Sequence, residues 1–250
     1  MSSSSKTGAE IIVDTLLAAG VRHVFGIVSI HNMPIVDAIS RTDGIELITA
    51  RHESSAAHMA DGYARASGNL GVALGSTGPG TTNLMTGIYE SAFASSRMLA
   101  ITGQAETGYY GKSKGYVHEA ENQKLMLETV AGAVASPRNV GEVGPMLNSV
   151  IESILSGRPQ PGAIEVPIDL QYAPCSIAVP ELRVADPVGP EAEVLLAATT
   201  LIANARKRMI LVGGGISSVA ARDALQAFSE KIGAPAVSYT HLTLPTNREV

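Results

Sequence analysis

Short apolar runs alternate with stretches of helical period along this chain, and that alternation restricts what it can fold into. After a first expected strand from Val21 to Ile27, strand-like runs recur at 45–50, 70–76, 98–103, about 130–135 and 162–168. Stretches with helical spacing separate them, at about 33–41, 53–67, 80–95, 119–129 and 141–156. Parallel neighbours need a crossover, and a helix between each pair of strands supplies it. The pattern therefore predicts an α/β fold with a doubly wound parallel sheet. Composition agrees: 45% of the 250 residues are hydrophobic, with 25 Gly, no Trp and only 3 Phe. Such an aliphatic, small-residue balance suits strands buried on both faces. The first helix opens at a capping box formed by Thr7 and Glu10. It carries Ile11, Ile12, Leu16 and Leu17 on one face and is closed by Gly20.

Periodicity fades in the Pro-rich segment from Tyr172 to Gly189, which reads as a linker. A new unit then begins. Glu191–Ala205 is expected as a helix, Arg208–Val212 as a strand and Ser217–Ile232 as a helix. That is too little to close a stable domain of its own. The expected organisation is a first domain over 1–171, a linker over 172–189 and an incomplete second domain over 190–236. Residues 237–250 contain no Ala and no Gly, although both abound before them, and are expected to be a non-native artefact.

Several function classes recede on composition. Net charge is −5 with both signs interspersed, and no Lys/Arg run marks a nucleic-acid or membrane surface. A single Cys175 excludes an internal disulfide and a Cys-based metal cluster, and it reads as an inert thiol beside a Pro-containing loop. No apolar stretch is long enough to span a bilayer. The polar start Met1–Lys6 lacks the apolar core of a signal peptide, so a cytoplasmic location is expected.

Two strand-to-helix junctions carry the chemistry. Ile45–Ile48 reads as a short buried strand, and Glu53 follows it where an Ala-rich helix begins, with Ala56, Ala57, Ala60 and Ala64 at helical spacing. The second junction is Leu74-Gly75-Ser76-Thr77-Gly78-Pro79-Gly80-Thr81-Thr82-Asn83. In open α/β sheets ligands collect at the carboxyl ends of strands, so one carboxylate and one Gly-rich turn make a candidate cofactor pocket. Taken alone, Glu53 is also a good first-turn acid for a helix dipole, and the Gly-rich turn an ordinary helix start. A third cluster, Gly213-Gly214-Gly215, follows a strand but has Ser218 where a dinucleotide fingerprint needs its last glycine, so it reads as a structural turn. No His/Asp/Glu spacing suggests a protein-borne metal cage.

These motifs resemble the thiamine-diphosphate enzymes of the acetolactate synthase and 2-oxo acid decarboxylase superfamily. The resemblance rests on Arg51-His52-Glu53 with Ala56-Ala57-His58-Met59-Ala60-Asp61-Gly62-Tyr63-Ala64-Arg65, and on Gly78-Pro79-Gly80-Thr81-Thr82-Asn83. Ala100–Gln104, Ser156–Pro159 and Val166–Asp169 also fit, and the likeness runs from about Lys6 to Ala236. It implies a pyrimidine-binding domain followed by a truncated Rossmann-like middle domain. It implies that Glu53 hydrogen-bonds the aminopyrimidine ring and favours the tautomer that takes the thiazolium proton. That task needs a carboxyl group able to share a proton, which small apolar surroundings favour. Gly78, Pro79 and Gly80 would let backbone approach the ring, and Asn83 would bond the cofactor or a facing subunit. His52 and His58 read as helix-packing or interface residues.

Departures from the family fall on the substrate side. Many relatives carry Pro-Gly-Gly after the first strand, where this chain has Val28-Ser29-Ile30-His31. Acetolactate synthases often have Phe-Gln-Glu where it has Val117-His118-Glu119. Ile30, His31 and His118 are therefore the substrate-side candidates, against the simpler reading of both histidines as solvated loop residues. Tyr109, Tyr110 and Tyr116 read as cover for the sheet edge. The family binds the diphosphate through Mg²⁺ on a C-terminal domain carrying Gly-Asp-Gly, a motif this sequence lacks. The implied whole is a homodimer or homotetramer acting on a small 2-oxo acid, most like acetolactate synthase. A decarboxylase or lyase of other substrate stays open, as does FAD against the middle domain. A non-catalytic binding module and a nucleotide-binding oxidoreductase are the readings from other classes. Val237–Thr246 resembles one reading frame of a sequencing-library adapter, with the authentic protein expected to continue past Ala236.

Overall fold

The computed structural model describes residues 5–177, 181–216 and 218–238. The chain divides into two compact units, Met1–Pro187 and Val188–Val250. The first contains β1 (Lys6–Thr7), α1 (Gly8–Ala18), β2 (His23–Gly26), α2 (Met33–Ser40), β3 (Glu46–Thr49) and α3 (Glu53–Ser67). It continues through β4 (Gly71–Gly75), α4 (Pro79–Ala94), β5 (Met98–Gln104), α5 (Gln123–Glu128) and β6 (Ala133–Ala135). It ends with α6 (Val140–Leu155), β7 (Gly162–Pro167), α7 (Ile168–Tyr172) and β8 (Pro174–Cys175). Six strands form a wholly parallel sheet in the order β3-β2-β4-β5-β7-β6. Lys6–Thr7 and Pro174–Cys175 pair antiparallel in a separate two-stranded ribbon.

The two faces of the sheet are built from different side chains. Period-two alternation sends Val72, Leu74, Leu99, Ile101, Ile164 and Val166 to one face, where they pack with residues of α1, α2 and α6. The intervening Ala73, Ala100 and Ala163 point the other way, against α3 and α4. Alanines there let the Ala-rich face of α3 come close, and Ala56, Ala57 and Ala60 are fully buried. Contact is tight enough that a Cβ on Gly87 of α4 would collide with Ala57.

Three local expectations are corrected. The strand at 45–48 is not a buried central one: β3 lies at the sheet edge, and Leu47 and Ile48 are only half-buried because one flank has no neighbouring strand. The helix expected over 119–129 begins only at Gln123. His118 is in the left-handed region with φ 59°, and Tyr116–Glu119 closes a turn that the Glu119 carboxylate reinforces by accepting from Tyr116 N–H at 3.1 Å. Finally, 162–168 does not run on as strand: Ile168 starts α7.

The second unit contains α8 (Ala192–Asn204), β9 (Ile210–Val212), α9 (Val219–Ile232) and β10 (Ala236–Ser238), with β9 and β10 parallel. Ser218 caps α9 by accepting from Ala221 N–H at 3.2 Å, which gives the residue in the glycine position a structural task. Val237 and Ser238 pair with Leu211 and Val212, while 239–250, expected as an artefact, lie outside the described residues.

Candidate functional site

The first junction is built by a histidine. His52 takes extended φ/ψ of −153° and 141°, and its Nδ1 accepts from Ser54 N–H at 3.1 Å, so α3 starts at Glu53. His58 bonds the same turn through Ser54 O at 2.7 Å. Glu53 thus stands half-exposed on the carboxyl-edge side of the sheet, above fully buried Ala56 and Ala57.

The second junction brings α4 beside it. Gly78 caps α4 at φ 56° and ψ −106°, a conformation that side-chain-bearing residues avoid. A Cβ there would also collide with the carbonyl oxygen of His118. Pro79 follows at the first helical position, where its missing N–H costs nothing. Thr81 Oγ1 donates to Ser76 O at 2.7 Å and Thr82 Oγ1 to Gly78 O at 3.0 Å, fixing the turn. Asn83 Nδ2 then donates to Glu53 Oε2 at 3.0 Å. Gly80 completes the contact: a Cβ there would lie 3.1 Å from Glu53 Oε1 and 2.7 Å from Ser76 Cβ. The structure therefore brings Glu53, Gly80 and Asn83 together, with Gly78 and Pro79 setting the approach.

The substrate-side candidates divide. Ile30 is exposed at 58% and His118 lies on the surface of its loop, whereas His31 is only 1% exposed. The reading of His31 as a solvated loop histidine is thus overturned. Gly103 leaves the space for it, since a Cβ at that position would fall 2.6 Å from His31 Cβ. His31 Nδ1 faces Ser76 Oγ at 3.4 Å, and its ring centroid is 5.6 Å from that of His118 and 5.9 Å from that of Tyr116. Nε2 is buried without a hydrogen bond among the described residues. Burial first, and the neighbouring His118 second, lower the His31 pKa, while the Val117 backbone acts in the opposite sense. Ser76 joins the two groups of residues, touching both the Gly80 position and the His31 ring.

Sequence reasoning missed two residues beneath this site. Gln123 is 1% exposed and Glu165 is fully buried. Gln123 Oε1 accepts from Gly78 N–H at 2.7 Å, and its Nε2 lies 3.0 Å from Glu165 Oε2. Glu165 carried a legible signal, because a charged residue inside the apolar run Gly162–Pro167 must find partners. Gln123 carried none.

The tyrosines do more than cover an edge. Tyr110 donates to Glu165, and burial followed by that hydrogen bond raises its pKa. Tyr109 and Tyr116 pack with ring centroids 5.0 Å apart and planes tilted by 43°. Cys175 is buried, with its Sγ facing Ile177 N–H at 3.4 Å. Among the described residues no group of three or more His, Cys, Asp or Glu is arranged to hold a metal ion, and no helix is long and apolar enough to cross a membrane.

The residues present fit a flat nitrogen heterocycle. One oxygen of the Glu53 carboxylate is held by an amide, and the other faces a backbone cradle that a Cβ at position 80 would fill.

Comparison with known proteins points the same way. Residues 6–126 match the family model described as thiamine pyrophosphate enzyme, N-terminal TPP binding domain. The chain is 32% identical over 239 residues to the acetolactate synthase large subunit of Corynebacterium glutamicum, covering 93% of this chain and 37% of that protein. It is 35% identical over 235 residues to a probable 2-ketoarginine decarboxylase of Pseudomonas aeruginosa, covering 92% and 41%. It is 35% identical over 232 residues to a sulfoacetaldehyde acetyltransferase of Alcaligenes xylosoxydans xylosoxydans, covering 92% and 37%. The chain thus spans about two fifths of the length of these relatives.

Proposed function

We propose, from the premise that residues 6–126 belong to the family of thiamine pyrophosphate enzyme N-terminal TPP-binding domains, that Glu53 is the cofactor-activating acid of a thiamine-diphosphate enzyme acting on 2-oxo acids. The observation that carries this reading is the Glu53 carboxylate, fixed at Oε2 by Asn83 and facing the Gly80 backbone at Oε1. When bound, the cofactor would supply an electron sink for the negative charge that develops at the former carbonyl carbon. Asn83 occupies Oε2, which leaves Oε1 to hold or share a proton with a ring nitrogen. Gly80 keeps the approach to that oxygen open. Ala56, Ala57 and Ala60 exclude water from beneath the carboxylate. His31, whose pKa is lowered first by burial, serves the substrate side together with Ile30 and His118.

The reaction proposed is decarboxylation of pyruvate followed by carboligation, as in acetolactate synthase. The alternative is decarboxylation or acetyl transfer on another 2-oxo acid or aldehyde, favoured by the names of two relatives and by a histidine at each substrate-side departure. Under this reading the first domain covers 1–171, 172–189 is a linker and 190–236 begins a middle domain. The complete enzyme is a cytoplasmic homodimer or homotetramer that binds Mg²⁺ through a further domain, with FAD as an optional second cofactor.

Assay of the complete gene product with pyruvate tests the proposal: acetolactate supports the synthase, and an aldehyde product the decarboxylase. Glu53→Gln should lower the rate by roughly 10²–10⁴-fold. Full activity of that variant would leave a non-catalytic binding role for this domain.

A further inference from the structure

Glu165 sits in the middle of β7 at 0% exposure, and among the described residues no cation is ion-paired to it. Its oxygens are divided between two sets of neutral donors. Oε1 accepts from the hydroxyls of Tyr110 and Ser136. Oε2 accepts from Gln104 Nε2 and Gln123 Nε2, each at 3.0 Å. Arg138 approaches only by stacking its guanidinium 3.6 Å over the Tyr110 ring. A buried carboxylate is costly unless its hydrogen-bonding capacity is used. Here all of it is used, since four donors converge on two acceptor oxygens.

The far end of Gln123 shows the consequence. Its Nε2 is fixed by Glu165 and by Gly103 O at 2.9 Å, so Oε1 is turned toward Gly78 N–H at 2.7 Å. A flipped amide would set Oε1 against the Glu165 carboxylate and point N–H at N–H. The carboxylate and the Gly103 carbonyl together therefore dictate which way round the amide lies. Gly78 has no side chain to cap α4, and Gln123 satisfies its buried N–H.

We propose that Glu165 is a positioning residue. It orients the Gln123 amide, Gln123 holds Gly78, and Gly78 sets the first turn of α4, which brings Gly80 and Asn83 against Glu53. The functional meaning rests on the assignment of Glu53 above, while the relay itself is a property of the apo chain.

Amide hydrogen exchange on the ¹⁵N-labelled 250-residue chain tests it without cofactor. In Glu165→Gln, an amide with one acceptor replaces two, and Gly78 exchange should accelerate about tenfold relative to Ile101 in the core, the equivalent of one lost hydrogen bond. The side-chain amide signal of Asn83 should shift with it. Ser136→Ala touches only the Oε1 side and should leave Gly78 within about twofold of the parent. Glu165→Asp keeps the charge but withdraws it, should give an intermediate acceleration, and carries the test where Glu165→Gln fails to fold. Unchanged Gly78 exchange, or equal acceleration of Gly78 and Ile101, would overturn the proposal. A complete enzyme that never binds thiamine diphosphate would sink the cofactor assignment and leave this result standing.

Discussion

Asn83 Nδ2 donates to Glu53 Oε2 at 3.0 Å, linking the early part of one helix to the first residue of another. Asn83→Ala removes that donor. We expect a stability loss of about 1 kcal/mol by urea unfolding, and a larger effect on cofactor-dependent rate in the complete enzyme, because the carboxylate plane is released. A rate equal to the parent's would show that Asn83 does not orient Glu53.

Gly78→Ala should be costly on two counts, its positive φ of 56° and the His118 carbonyl oxygen occupying the Cβ position. A loss of about 1–3 kcal/mol is expected. Gly108→Ala, where a Cβ meets nothing within 4 Å and φ is not positive, is the control and should change the urea midpoint little.

Asp61 ties α3 to α4 at 4% exposure, accepting from Arg65 and from Ser91 at 2.9 Å. Burial pushes its pKa up, but the hydrogen bonds from Arg65 and Ser91 and the Arg65 charge outweigh this and hold it below the ordinary 3.8. With a depressed folded value, its contribution is complete above pH 3.8 and is lost as pH falls through the folded pKa. Asp61→Asn should destabilise by about 2 kcal/mol at neutral pH, with the gap narrowing in acid. A gap independent of pH would contradict the assignment.

His31 gives a slope of the same sign at higher pH. Its folded pKa lies below the ordinary 6.5 through burial and then through His118, so the unfolded chain binds more protons just below that pH. Stability should fall as pH drops from 6.5 toward the folded value. His31→Gln should flatten that slope in a series of thermal melts. An unaltered slope would assign the proton uptake elsewhere.

Thr7→Ala removes the side-chain half of a formed capping box, in which Glu10 N–H reaches Thr7 Oγ1 at 3.2 Å, and keeps the backbone half, in which Glu10 Oε2 accepts from Thr7 N–H at 2.8 Å. The expected loss is about 1 kcal/mol. An unchanged denaturation midpoint would mean α1 is held by its buried face alone.

The sheet, its crossovers and the junction at Glu53 were legible because they depend on near neighbours: Thr7 with Glu10, alanines at helical spacing, apolar runs between turns. The α5 start was misjudged because His118 takes a left-handed conformation against Gly78, a contact 40 positions away in sequence. The burial of His31 depends on Gly103, and Ile45–Ile48 at the sheet edge depends on strand order, neither of which local pattern encodes.

By itself, then, the sequence determined the periods, the caps and the acid at the head of α3, since these are set by backbone preference and spacing over a few residues. Only the tertiary structure decided that Glu165 on β7, Gln123 on α5 and Gly78 at the head of α4 form one hydrogen-bonded line. The physical reason is that a buried polar group must find its partners wherever folding brings them, and those partners lie 42 and 45 positions apart along the chain.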